Sequence, residues 1–305
     1  MTVPISNRYD FVLFVDVKNG NPNGDPDAGN LPRIDPETSR GIISDVCIKR
    51  KVRNYVDLVR GVAIEEPDAP EGSLGYKIYV QEGAVLNDRN NMAYVHYGIK
   101  PQDKKLPKKE EEALRITKFM TDNFFDIRTF GAVMTTGRNC GQVRGPVQLC
   151  FGESIDPVVP MDMSITRIAA TNASDEKENK TFGRKQYIPY GLYRIEGFIS
   201  ASLAERTGFC QEDLDLLFEA FMNMFEDDRS ASRGLMASRE LVVFKHDSKL
   251  GNAPAHKLFE TVMVERTIPV DQEARKYGDY RITVDEASIP AGVTVKRYEY
   301  IPRTV

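Results

Sequence analysis

The sequence predicts an α+β protein whose elements run strand–helix–strand–strand–helix–strand, the order of a ferredoxin-like or RRM-like sheet, with large insertions. Three observations predict it. An alternating apolar run lies near the start, two stretches carry apolar residues at three- and four-residue spacing, and strand signals fall between and after them. With 305 residues, 41% of them hydrophobic, there is material for one large domain or two ordinary ones.

The first strand is Asp10–Val17, where Phe11, Leu13, Val15 and Val17 alternate with Val12, Phe14 and Asp16. Both of its faces are mostly apolar, which predicts a central strand covered on at least one side. The loop NGNPNGDPDAGNLPRIDPETSRG is too rich in Gly, Pro and Asn to be regular. A helix is predicted over 43–60, with Ile48, Val52, Tyr55 and Val59 on one face and Ser44 or Ser39 as its cap. Residues 61–125 read as an insertion, with a hairpin near Lys77–Leu86 and helix in the second half of the polar run that ends at 124. Strands are predicted at Asp126–Met134 and Gly145–Phe151, joined by the glycine-rich loop TTGRNCGQVRG. The stretch 153–190 suits a protruding hairpin whose tip is NASDEKENK. Leu192–Ala201 is a strand, Gln211–Phe225 the second helix, and strands follow at Glu240–Phe244 and Leu258–Arg266.

Charge is unevenly spread. The chain carries 41 Lys+Arg against 45 Asp+Glu, for a net charge of −4. Between Ser39 and Arg60, however, Arg40, Lys49, Arg50, Lys51, Arg53 and Arg60 face only Asp45 and Asp57. From Ile127 to Gly152 there is no acid at all, while Arg128, Arg138 and Arg144 remain. Two basic islands in an acidic chain are patches that a polyanion would meet. No apolar run reaches membrane-span length, and MTVPISNRYD lacks the layout of a secretory signal. Cys47, Cys140, Cys150 and Cys210 form no C-x-x-C pair, so neither a zinc ribbon nor a thioredoxin-type site is expected, and a reduced, cytoplasmic compartment is the natural home.

Four candidate sites have two readings each. Asp45, Lys49 and Arg53 stack along one side of their helix, either as a solvated i,i+4 ladder or, with Arg50 and Lys51 in excess of the local acid, as a phosphate cradle. If that face is exposed, changing Lys49 and Arg53 together leaves the monomer folded. The loop 137–145 offers Arg138, Asn139 and Arg144 among Gly137, Gly141 and Gly145, either as a phosphate-binding loop or as a long hairpin turn. Asp25, Asp27 and Asp35, with Asp16, would suit a divalent cation, but Asp in Pro/Gly loops more often caps turns, the reading favoured here. Cys140 is a reactive thiol only with a distant histidine, and otherwise a small apolar filler. No catalytic residue, metal ligand or cofactor is predicted.

The string NGNPNGDPDAGNLPRIDPETSRGIISDVCIKRKVRNY resembles the amino-terminal signature of the type I-C CRISPR Cascade backbone subunit, a member of the RAMP superfamily. DIRTFGAVM, RGPVQLCFGESIDPVVP, SITRIAAT, GRKQYIPYGLY and DDRSASRGLMASREL are similar to that family in the same order, over almost the whole chain. The resemblance implies one hand-shaped domain over 1–305, with an RRM-like palm, fingers inserted over roughly 62–125 and a thumb hairpin over roughly 155–190. It implies a non-catalytic, RNA-binding backbone subunit whose copies line up along one CRISPR RNA and leave guide bases free to pair with target DNA. Further partners would be the processing or capping subunit, the large subunit and the small subunit. Mapped onto this chain, Ser44, Lys49, Arg50 and Arg53 would hold the RNA backbone, and Ile165, Thr166, Arg167 and Lys185 would belong to the thumb. Related type III subunits cut target RNA with an aspartate in the loop after the first strand. A metal-dependent endoribonuclease acting through the 19–37 loop is therefore the alternative.

Overall fold

The computed structural model describes residues 2–102, 104–167 and 181–304. Its first strand, β1 (Tyr9–Gly20), is buried on both faces. Phe11, Leu13, Val15 and Val17 enter one core and Val12 and Phe14 another, which is why the alternation reads apolar on both phases. Short strands β2 (Gly24–Asp25), β3 (Leu31–Pro32) and β4 (Arg40–Ile43) punctuate the long loop. Helix α1 (Asp45–Arg60) follows, burying Ile48, Val52, Tyr55 and Val56 and ending at Gly61 in the left-handed conformation.

The inserted region contains α2 (Leu86–His96) and α3 (Glu110–Asn123). No hairpin forms near Lys77–Leu86: Lys77 makes one isolated bridge to Phe124, and the chain then enters α2. α2 has no apolar stripe, because it buries Arg89 and Asn90, which donate to the Tyr79 and Arg138 carbonyls. The strand expected at 126–134 is also corrected. Residues 125–130 form α4 (Phe125–Phe130), and only Gly131–Met134 (β5) is extended. The helical turn is held by buried charge: the Asp126 carboxylate accepts from the Tyr79 and Val80 N–H groups at 2.7 and 3.0 Å, and Arg128 reaches Asp213.

β6 (Gly141–Arg144), β7 (Val147–Leu149) and β8 (Gly152–Pro157) come next, so of the strand expected at 145–151 only Val147–Leu149 is extended. β9 (Met161–Arg167) and the 19-residue β10 (Thr181–Ile199) form a hairpin whose tip, 172–180, lies outside the described residues. Helices α5 (Ala201–Thr207) and α6 (Gln211–Asn223), strand β11 (Leu235–His246), helix α7 (Ala255–Glu260) and strands β12 (Val262–Arg266), β13 (Tyr280–Val284) and β14 (Val293–Tyr298) complete the chain. Leu258–Arg266 thus begins as helix, not strand.

The main sheet is antiparallel, with order β14-β11-β1-β10-β8-β4 and with β7 and β9 also on β10. β10 changes partners along its length. Residues 181–187 pair with β9, and Ile188–Ile199 pair with β1. α1 and α6 cover one face, joined by Tyr55 donating to Glu219 at 2.7 Å, while α7 and the β12–β13 hairpin cover the other. A third, smaller core, built on Tyr94, Ile116, Phe119 and Phe124, holds the insertion together and takes in Cys140 from the glycine-rich loop.

Candidate nucleic-acid interface

The four α1 residues singled out in the sequence, Ser44, Lys49, Arg50 and Arg53, line one groove of about 860 Å³. Asn23 and Arg33 close it from the long loop, Phe130 and Gly131 from the end of α4, and Val80–Glu82 from the insertion. Four cationic side chains line it, Arg33 among them, against one carboxylate, Glu82.

Each cation has a carboxylate partner, but the pairs differ in kind. Lys49 bonds Asp45 at 2.8 Å, the i,i+4 pair that the ladder reading requires. Arg53 does not continue the ladder; its Nε donates to Asp126 at 2.7 Å, with side-chain exposures of only 12% and 1%. Phe130 lies beneath both cations, with Lys49 Nζ 5.9 Å and the Arg53 guanidinium 5.4 Å from its ring centre. The solvated face expected for Lys49 and Arg53 is therefore corrected. Replacing Arg53 strips a buried carboxylate of its counter-charge, which costs stability as well as binding. Arg50 is the opposite case: its 3.0 Å pair with Glu82 is 67% and 88% exposed. A pair so hydrated is worth little, and a phosphate can replace Glu82 at small cost.

Ser44 sits at the N-cap position of α1 but does not cap it. Its N–H and its hydroxyl both donate to Asn23 Oδ1, at 2.9 and 2.8 Å. The first-turn N–H groups of a 16-residue helix thus carry no side-chain cap at the groove, where the helix dipole favours an anion.

The glycine-rich loop lies elsewhere. The Arg138 carbonyl accepts from Asn90, and the Asn139 carbonyl accepts from the Tyr94 hydroxyl at 2.5 Å. The Asn139 side chain accepts from the Gly141 N–H and donates to the Lys104 carbonyl, so its amide is committed within the loop. Gly137 and Gly141 have φ of +62° and +86°, the left-handed turns that glycine allows. Burial pushes the Cys140 thiol up to about 12, in keeping with a packing role. Arg144 is exposed on β6 and faces a different cavity, of about 680 Å³, together with Arg206.

Ile165, Thr166 and Lys185 lie on the β9–β10 hairpin, opposite Gly183, Phe182 and Met163, and Arg167 is the β9 residue opposite Thr181. Met161, Met163 and Ile165 alternate along β9 and are each exposed. In the aspartate loop, Asp25 accepts from the Asp27 N–H at 3.2 Å and meets Arg33 at 3.3 Å. Asp35 accepts from the Thr38 hydroxyl and the Glu37 N–H, bonds that hold its carboxyl below the usual range. Asp27 is exposed. Among the described residues no three His, Cys, Asp or Glu side chains are grouped to hold a metal ion. Nor is any helix among them long and apolar enough to cross a membrane.

A model of the family "CRISPR-associated protein Cas7" matches residues 7–285 of this sequence. The chain belongs to the Cas7 family. A curated Cas7 protein from Haloferax volcanii is 25% identical over 231 residues, covering 69% of this chain and 62% of the relative, so the chain spans under two thirds of that protein's length. A chain of a "CRISPR RNA-guided surveillance complex, pre-nicking" superposes with a TM-score of 0.50 at 14% identity, over 81% of this chain and 79% of the other. A chain of a second CRISPR RNA-guided surveillance complex gives 0.48 at 14% identity, over 81% and 71%. At 14% identity the first likeness speaks to the fold, a mixed α/β arrangement around an antiparallel sheet.

In this Cas7 chain the groove also uses residues that sequence reasoning missed. Asn23 and Arg33 come from the long loop, and Phe130 comes from what reads as a strand. The only signal for Arg33 is its place in a loop that precedes a basic helix.

Proposed function

We propose that this chain is a backbone subunit of a type I-C Cascade surveillance complex, binding the sugar-phosphate chain of a CRISPR RNA along α1 without cutting nucleic acid. The observation that carries the reading is the groove itself, where four cationic side chains converge beside a helix N-terminus without a side-chain cap. Membership of the Cas7 family supports it. A groove that contacts phosphates and helix-end charge, without a base-edge code, suits a guide whose sequence varies.

In this reading the β11-β1-β10-β8 part of the sheet with α1 and α6 is the ferredoxin-like palm of one domain over 1–305. The inserted 62–125 region is the fingers and 155–190 the thumb. Ile165, Thr166, Arg167 and Lys185 then meet the RNA segment of a neighbouring copy, and Arg138, Asn139 and Arg144 are outlying contacts. Other Cascade subunits and target DNA complete the assembly. The turn bonds of Asp25 and Asp35 favour this reading over an endoribonuclease.

Purification of the full chain from cells that express CRISPR RNA tests both parts. RNA of regular length is expected to copurify, and added complementary RNA with magnesium is expected to stay intact. Protein that retains no RNA and binds none overturns the RNA reading. Magnesium-dependent cuts at regular spacing, lost in Asp27→Ala, overturn the non-catalytic one.

A further inference from the structure

Beside the α1 groove lies a smaller polar pocket of about 210 Å³, sharing Asn23, Cys47 and Arg50 with it. Its other walls come from Asn21 and Asn30 of the long loop, Lys51 of α1, and Asp228, Ser232 and Arg233 from the segment before β11. Lys51 and Arg233 share the single Asp228 carboxylate, the latter at 3.0 Å. With Arg50, the pocket holds three cations against one anion.

Asn21 is the unusual member. It is 97% buried (relative exposure 3%), its N–H donates to the Ser232 carbonyl at 2.6 Å, and its Nδ2 donates to the Asn30 carbonyl at 2.7 Å. Because Nδ2 faces a carbonyl, the amide orientation is fixed. Its Oδ1 has no hydrogen-bond partner among the described residues. Buried acceptors without a donor are uncommon. This one lies in a cationic pocket continuous with the groove.

We propose that this pocket takes one ribonucleotide unit of the bound strand, its phosphate facing Arg50 and Arg233 and its ribose 2′-hydroxyl donating to Asn21 Oδ1, so that Asn21 makes the interface prefer RNA to DNA. The proposal rests on the RNA-binding reading of the groove and adds a residue that chooses the sugar. A deoxyribose leaves Oδ1 as unpaired as it is in the free chain, while the phosphate contacts persist.

The test compares a short single-stranded RNA with its DNA and 2′-fluoro RNA counterparts on the full chain. The 2′-fluoro strand has no hydroxyl hydrogen to donate. RNA is expected to bind about ten-fold tighter than either, the order of loss when a buried acceptor goes without its donor. In Asn21→Ala, shown to be folded by circular dichroism, RNA affinity drops to the DNA level; in Arg233→Ala, RNA and DNA weaken alike and their ratio holds. Equal binding of RNA and 2′-fluoro RNA by the unaltered chain overturns the proposal without needing any variant, as does an unchanged RNA-to-DNA ratio in Asn21→Ala. A chain that binds none of the three strands instead overturns the RNA-binding reading beneath it.

Discussion

In the basic island 39–60, Lys49, Arg50 and Arg53 converge on one groove, whereas in the island 127–152 Arg128, Arg138 and Arg144 go to three different places. Arg128 is fully buried. It bonds Asp213 through Nε and Nη2 at 2.9 and 2.8 Å, and the carbonyls of Thr121 and Gly75 at 2.8 and 3.0 Å. The acid missing from its neighbourhood in sequence arrives from α6, 85 residues away. Asn139 likewise spends its amide inside its own loop. Local charge therefore does not separate the two islands. What separates them is whether folding gathers the cations into one groove or spends them in different places.

The largest expected effect lies in the second island. Arg128→Ala leaves Asp213 buried without its counter-charge and frees the Thr121, Asp122 and Gly75 carbonyls, so urea unfolding should show a loss of about 3–5 kcal/mol, or no folded protein. Unchanged stability would break the contrast, because Arg128 would then be as dispensable as a surface cation. A smaller effect, on affinity rather than folding, sharpens it. Arg33→Ala with Arg50→Ala should lower affinity for single-stranded RNA by about ten-fold and flatten its salt slope by about 0.7 for every phosphate no longer neutralised. Stability should move by no more than about half a kcal/mol at exposed Arg50 and by about 1 kcal/mol at half-buried Arg33. Arg138→Ala with Arg144→Ala should change RNA binding less. An equal or greater loss from that pair would move the RNA path to the other island.

The same contrast explains what was legible in the sequence. β1, α1 and α6 follow from apolar periodicity, since Phe11, Ile48 and Leu217 are held by burial alone. α2 and α4 do not, because their buried faces carry Arg89, Asn90, Asp126 and Arg128, whose partners lie on other segments. Period reasoning counts only apolar residues, so it reads DIRTFGAVM as a strand. The site divides in the same way. Lys49, Arg50 and Arg53 stand out because they exceed the acid beside them, whereas Arg33, Asn21 and Arg233 join them only once the chain has turned back.

The central claim is that RNA lies along α1. Ultraviolet cross-linking of RNA to the full chain, with the attached peptides read by mass spectrometry, tests it most directly. Cross-links are predicted to fall on 21–54, across the long loop and the first half of α1, with any others on the β9–β10 hairpin. Cross-links confined to 137–145, with none on 21–54, would contradict the account.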